Sequence, residues 1–178
     1  MRHLPRGGIM RIVVVACFAL SLMGSVAGAK SAALPPSLEL AIAESHEALR
    51  KILNGDPSGY AALFADRDDI TLGNPFGPFG KGPVEVRSRL ANAATKYREG
   101  SVRSVERIAV YGSGDQYVLV EIENGRAKLG SSADLADFSA RVTSVYQLLG
   151  GQWRLVHRHA DPITTPRGAE SMLPTPRP

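Results

Sequence analysis

The second half of the chain is built almost entirely of strand-like stretches, and this feature limits the possible folds most strongly. Apolar, β-branched and aromatic residues collect over residues 102–111, 116–123, 139–149 and 152–161. Short strands separated by turn residues are typical of consecutive antiparallel pairing. The sequence therefore predicts a four-stranded antiparallel meander, with turn-forming residues at or near its breaks at Asp115, Asn124-Gly125 and Gly150-Gly151.

The first half begins with a predicted amphipathic helix. Ser37 is a suitable N-cap, because a serine side chain can accept a hydrogen bond from a free backbone N–H of the first turn. Leu38, Ile42, Leu49 and Leu53 then follow at spacings that keep them near one face. That face is expected to pack against the sheet.

Two more helices and a short strand are predicted before the meander. Asp56-Pro57 begins the second helix, since Asp caps well and Pro suits a first helical position, and Pro83 begins the third, which runs to about Glu99. Residues 68–72 are predicted as a strand and residues 73–82 as a turn-rich loop. Helices grouped before a meander predict an α+β fold, with three helices on one face of a curved, mostly antiparallel sheet.

The N-terminus has the three parts of a secretory signal peptide: basic residues, an apolar run over residues 12–26, and Ala27-Gly28-Ala29. Cleavage is expected after Ala29. An uncleaved membrane anchor is the alternative, and Met10 is an alternative start. The predicted organisation is a signal peptide at 1–29, a linker at 30–36, one domain at 37–163 and a proline-rich tail at 164–178.

Charge and cysteine content change once this segment is removed. The whole chain has a formal charge of +4, from 21 Lys and Arg against 17 Asp and Glu. Cleavage would remove Arg2, Arg6 and Arg11 but no acidic residue, which leaves a net charge of +1, and it would also remove Cys17, the one cysteine. A near-neutral domain without a thiol disfavours nucleic acid as a partner and excludes cysteine chemistry.

The end of the predicted meander contains Arg141-Val142, Gly151-Gln152-Trp153 and His157-Arg158-His159. This final segment and the order of elements resemble the nuclear-transport-factor-2-like (NTF2-like) superfamily in its SnoaL-like branch. The resemblance covers residues 37–163, and the chain is also similar to the calcium/calmodulin-dependent kinase II association domain and to ketosteroid-isomerase-like proteins. The resemblance implies a conical barrel of cystatin-like topology, with a pocket between sheet and helices and pairing into homodimers or larger oligomers.

The last predicted strand supplies the candidate catalytic residues. Strict alternation places His157, His159 and Asp161 on one face with Trp153 and Leu155. Two imidazoles and a carboxylate could transfer protons, with His159, His157 and Asp161 in that role. A 2-His-1-carboxylate metal site and a purely structural role are alternatives, and if Arg158 faces the pocket instead, the histidines face outward.

A second set of residues is predicted to bind a ligand. By resemblance, Arg141 matches an arginine that lines the association domain's cavity, where it would anchor an anion. Glu121 lies on the strand before it and is more readily a salt-bridge partner of Arg141 than a general base. The predicted ligand-binding residues are Arg141, Glu121, Tyr60, Phe76, Tyr97 and Tyr146.

These features together predict an exported SnoaL-like domain that binds a small organic ligand in a conical pocket. If it is catalytic, the expected reaction is a non-redox isomerisation, dehydration or hydrolysis. The alternative is a non-enzymatic binding or assembly module. The expected partners are a small-molecule ligand and a second copy of the chain, with no cofactor, no metal, no nucleic acid and no membrane after signal cleavage.

Overall fold

The computed structural model describes residues 33–173, so the predicted signal peptide lies outside the described residues. Three α-helices precede the main strands: α1 (Pro36–Ile52), α2 (Ser58–Leu63) and α3 (Gly82–Ala94). The strands are β1 (Thr71–Asn74), β2 (Gly77–Lys81), β3 (Tyr97–Ser113), β4 (Gln116–Leu129), β5 (Leu135–Leu149) and β6 (Gln152–Asp161). A short 3₁₀ helix, Ala169–Met172, lies in the tail.

The six strands form one curved sheet in the order β2-β1-β6-β5-β4-β3. All neighbours are antiparallel except β1 and β6, which run parallel. The sheet is not closed, because β2 and β3 are its two edges among the described residues. The predicted α+β fold, with three helices and a curved, mostly antiparallel sheet, is confirmed.

Helix α1 packs its apolar side on the inner face of the sheet. Leu38, Ile42 and Leu49 are buried in the same core cluster as Leu119 of β4 and Leu155 of β6. Burying such leucine and isoleucine side chains stabilises the fold by about 1.5–3 kcal/mol each. The packing of α1 on the sheet therefore follows from the spacing of its apolar residues.

The start of α1 differs from the prediction. Pro35, not Ser37, occupies the N-cap position, and no side chain caps the helix. The Ser37 hydroxyl instead accepts a hydrogen bond from Nε1 of Trp153 at 3.1 Å. A buried indole N–H needs a hydrogen-bond acceptor. Ser37 therefore forms this tertiary hydrogen bond instead of the predicted N-cap of α1.

The turn-rich segment 73–82 forms more structure than predicted. Strand β1 lies at Thr71–Asn74 rather than at 68–72, and it pairs with β2 in a hairpin. The turn is fixed by the Asn74 side chain, whose Oδ1 accepts a hydrogen bond from the Phe76 N–H at 2.9 Å. Asparagine commonly makes this contact two residues ahead in the chain, so the glycines and prolines here permit a hairpin instead of an open loop.

Helix α3 ends at Ala94, earlier than the predicted Glu99, and β3 begins at Tyr97. Glu99 has a φ of 52°, which a helix interior does not accommodate. Tyr97 pairs with Leu129 at the start of the β3–β4 ladder. The residues from Tyr97 to Glu99, which were predicted to end the third helix, therefore belong to β3. Strand β4 likewise continues through Gly125, where a turn was predicted.

Candidate functional site

A β-bulge in β6 decides which side chains reach the inside of the domain. Tyr146 of β5 pairs with Leu155, but its neighbour Val145 pairs with His157, so Val156 is an extra residue in β6. An extra residue reverses the alternation of the residues that follow it. The predicted sharing of one face by the histidines and Leu155 is therefore wrong.

The observed burial follows the reversed alternation. Trp153 and Leu155 are buried before the bulge, and Arg158 and Ala160 are buried after it. His157 and Asp161 are only partly buried. The structure thus places Arg158, rather than the histidine pair, on the inner face of the sheet.

A cavity of about 330 Å³ lies between this inner face and the three helices. Its volume is at the lower end of the range for small-molecule sites, about 300–1,000 Å³. Exposed Pro75, Gly130 and Pro162 lie at its mouth. Most of the remaining lining is apolar: Leu49, Ile52, Leu72, Phe76, Leu90, Ala93, Tyr97, Leu129, Phe138 and Ala160.

A buried ion pair forms the buried polar part of the cavity, whereas the other polar lining residues, Asn74, Lys96 and Ser139, are partly exposed. Nη2 of Arg158 donates to Oε1 and Oε2 of Glu123 at 2.6 and 2.7 Å. The residues are only 7% and 4% exposed. Burial lowers the pKa of Arg158, but the Glu123 carboxylate outweighs this effect and raises that pKa above its ordinary value. Arg158 is therefore charged, and the two residues together are formally neutral.

Aromatic rings complete the wall. The Arg158 guanidinium lies 4.9 Å from the centre of the Tyr60 ring, a distance typical of cation–π contacts. Phe76 and Phe138 both lie against Tyr97, with ring centres 5.4 and 5.8 Å from the centre of its ring. Burial raises the pKa of Tyr60 well above its ordinary value and that of Tyr97 to about 12, so both phenols stay neutral near neutral pH.

The structure brings three of the predicted ligand-binding residues, Tyr60, Phe76 and Tyr97, into the cavity wall. Tyr146 is buried in the core, where its hydroxyl forms a hydrogen bond of 2.7 Å with Ser45. It is not among the lining residues.

Glu121 and Arg141 lie outside the cavity wall. Glu121 is buried between α1 and the sheet, where Oε1 is 3.2 Å from Nε2 of His46 and 4.0 Å from Nε of Arg107. Arg141 is exposed and pairs with Asp161 at 3.0 Å. The predicted contact between Glu121 and Arg141 is wrong, because the two residues point to opposite faces of adjacent strands.

The three predicted catalytic residues lie on the outer face of the sheet. Nδ1 of His157 forms a hydrogen bond with the Thr71 hydroxyl at 2.8 Å, and His159 lies against the exposed Phe79 ring. Burial raises the pKa of Asp161, but hydrogen bonds from Arg141 and the Ile163 N–H outweigh it, so that pKa is lowered. None of the three lines the cavity.

Glu123 and Arg158, the ion pair of the cavity, are among the lining residues that were not predicted as site residues. Glu123 lies two residues after Glu121, so both were expected on the face of Leu119. Two acidic residues on a face that also carries buried leucine are a signal of a paired charge inside the domain. The pattern does not indicate which of the two carboxylates, Glu121 or Glu123, pairs with Arg158.

Within residues 33–173, no group of three or more His, Cys, Asp or Glu side chains is arranged to hold a metal ion. In the same part of the chain, none of the helices has the length and apolar character needed to cross a bilayer.

The fold and the cavity agree with a family assignment. The sequence model of the SnoaL-like domain matches residues 40–164, which is most of the chain. The chain belongs to the SnoaL-like family. Among curated protein sequences, none matches this SnoaL-like protein.

Solved structures of the NTF2-like superfamily have the same fold as this SnoaL-like domain. A Nostoc punctiforme protein of unknown function with a cystatin-like fold is 25% identical, with a TM-score of 0.56 over 72% of this chain and 95% of its own. A proposed dehydratase from Streptomyces avermitilis is 21% identical, with a TM-score of 0.56 over 72% and 95%. A proposed calcium/calmodulin-dependent protein kinase type II association domain from Thiobacillus denitrificans is 18% identical, with a TM-score of 0.57 over 73% and 98%.

The ring of His157 is expected to titrate below the ordinary histidine pKa of 6.5, because burial and the neighbouring His159 both lower its pKa. The unfolded chain then binds the proton more readily than the folded protein does. Protonation of His157 is therefore expected to lower the free energy of unfolding as the pH falls from 6.5 towards the folded pKa, and it has no effect above that range. Ring carbon shifts followed by NMR would give the midpoint. A midpoint at or above 6.5 would contradict the prediction.

Proposed function

We propose that this SnoaL-like domain binds a small, largely apolar organic molecule in the cavity between sheet and helices. The observation that carries the proposal is the combination of an apolar wall with one buried polar group, the Arg158–Glu123 pair. Ligand sites commonly join a hydrophobic lining to a few polar groups that fix the ligand's orientation. The ligand is expected to place its apolar body against Phe76 and Phe138 and its polar end near the ion pair.

Binding without catalysis is the form of the proposal that the geometry favours. Proton-transfer groups must lie within hydrogen-bond reach of the substrate. His159, His157 and Asp161 lie on the outer face of the sheet, and Glu123, the one carboxylate in the described lining of the cavity, is already paired with Arg158. A non-redox isomerase, dehydratase or hydrolase remains the second candidate, because one relative of the same fold is a proposed dehydratase.

The test uses the full chain and a neutral apolar dye, Nile red, whose fluorescence rises in an apolar site. Wild-type protein is expected to bind the dye. Ala93→Phe is expected to weaken binding at least tenfold, because Ala93 is a buried lining residue on α3 and the larger ring occupies the cavity.

The matched control is Ala91→Phe, which adds the same ring on the exposed side of the same helix. It is expected to leave dye binding unchanged. Equal binding by wild type and Ala93→Phe would contradict the proposal.

We also propose that two copies pair through the outer face of the sheet. An apolar stripe on β4 and β5, beside exposed side chains of β3, supports this: Val118, Val120, Ile122, Val145, Ile108 and Tyr111. Light scattering after size-exclusion chromatography should give the mass of a dimer for wild type and of a monomer for Val120→Glu. Ser132→Glu, in the exposed turn before β5, is the control.

Export to the periplasm or the medium is the third part of the proposal, and it rests on the composition of residues 1–29. N-terminal sequencing of the exported protein should begin near Lys30. Recovery of intact chain from the cytoplasm alone would count against export.

A further inference from the structure

The polar end of the cavity contains an arginine whose charge is already compensated. Both hydrogen bonds to the Glu123 carboxylate come from one nitrogen of Arg158, Nη2. The N–H groups on Nε and Nη1 are therefore not needed for the ion pair. Each carboxylate oxygen of Glu123 can also accept a further hydrogen bond, since an ionised carboxylate has about four acceptor sites.

Binding an anionic ligand at this end of the cavity would be electrostatically unfavourable. A buried charge costs free energy unless an opposite charge pairs with it. Arg158 is already paired with Glu123, and the buried Tyr60 beside it is a neutral phenol. At this end of the cavity, a ligand carboxylate would have to displace Glu123 or lie next to it as a like charge. The other cationic lining residue, Lys96, lies beside Gly130 at the mouth.

An uncharged polar group meets no such cost. A carbonyl oxygen could accept a hydrogen bond from Arg158, and a hydroxyl or amide hydrogen could donate to Glu123. Hydrogen bonds to charged groups are stronger than bonds between neutral groups. The pair is thus suited to a neutral group that donates, accepts or does both.

We propose that the cavity is selective for uncharged apolar molecules with a hydroxyl, carbonyl or amide group, and that Glu123 determines this selectivity by excluding carboxylates. The inference rests on the proposed binding function and specifies its ligand class. It also differs from the expectation that an arginine in such a pocket anchors an anion. Glu123 acts here as a specificity-determining residue.

The experiment compares two probes of nearly equal shape, 2-naphthamide and 2-naphthoate, as competitors for bound Nile red at pH 7.5. The first is neutral and the second is an anion. Wild-type full chain is expected to bind the amide at least tenfold more tightly. In Glu123→Gln, which keeps the side chain's size but removes its charge, Arg158 is left to pair with the ligand, so the preference should disappear or reverse.

Two further variants keep the result interpretable. Glu47→Gln removes one negative charge from an exposed ion pair on α1 and should retain the wild-type preference. The double variant Glu123→Leu with Arg158→Met removes both charges, and it should bind the carboxylate no better than wild type does. It provides the comparison if Glu123→Gln does not fold.

The outcomes separate this inference from the proposed function. If Nile red binds but naphthoate competes as well as naphthamide in wild type, or if naphthamide does not compete at all, the selectivity is overturned and ligand binding stands. If Glu123→Gln keeps the wild-type preference, Glu123 does not determine it. If wild-type protein does not bind Nile red, the proposed function fails and the selectivity fails with it.

Discussion

Glu123→Ala is expected to lower the free energy of unfolding by about 3–5 kcal/mol, which is the typical cost of leaving a buried charge without its partner. Arg158 is 7% exposed and therefore largely shielded from bulk water when the carboxylate is lost. Total stabilities of about 5–15 kcal/mol are usual for domains, so the loss would be a large fraction of the whole. Urea denaturation followed by circular dichroism would measure it.

Two comparisons test the cause of this loss. Glu99→Ala removes an exposed carboxylate paired with Lys128 and should cost no more than about 1 kcal/mol. The double variant Glu123→Leu with Arg158→Met removes both charges and should recover most of the stability, because apolar replacement of a buried pair is often neutral or stabilising. A double variant as unstable as Glu123→Ala would show that the uncompensated charge is not the cause.

Leu155→Ala is expected to lower the free energy of unfolding by about 2–5 kcal/mol. Leu155 is 0% exposed and lies in the core cluster beneath α1. Its truncation removes buried apolar surface and leaves a void beside the β-bulge, where pairing with β5 on one side and the backbone bridge to Phe64 on the other limit relaxation. Urea denaturation would again give the value.

The matched control for Leu155→Ala makes the same chemical change at a solvated position. Leu40 is on α1 and is 68% exposed, so Leu40→Ala should change the free energy of unfolding by no more than about 0.5 kcal/mol. Similar losses for the two variants would contradict the assignment of Leu155 to the core.

Much of the fold could be predicted from local patterns. The alternation in β6 predicted its bounds, 152–161, as observed, and the spacing of Leu38, Ile42 and Leu49 predicted the buried side of α1. Strand ends were less predictable, since β3 and β4 extend along each other well past the residues whose own pattern is strand-like. Pairing with a neighbour, which is not a local property, determines those ends.

The site was harder to predict for a different physical reason. A regular strand from Trp153 to Asp161 would carry the histidines inward, and only the one extra residue at Val156 brings Arg158 inward instead. Val156 is an ordinary strand residue, so nothing in the local sequence indicates the bulge. Tyr60, Phe76 and Tyr97 were found because large aromatic residues are commonly buried wherever helices meet a sheet.

The parallel pairing of β1 with β6 affects the order in which the domain can be completed. Thr71 lies beside His157 and Leu72 beside Arg158, so the β1–β2 hairpin joins the sheet only after the last strand has been synthesised. Pairings between distant residues require the closure of long loops, which slows folding. Helices α1 to α3 and the β3–β4–β5 ladder do not depend on β6 and can form earlier, whereas the cavity gains Arg158, Ala160 and its β1 wall last.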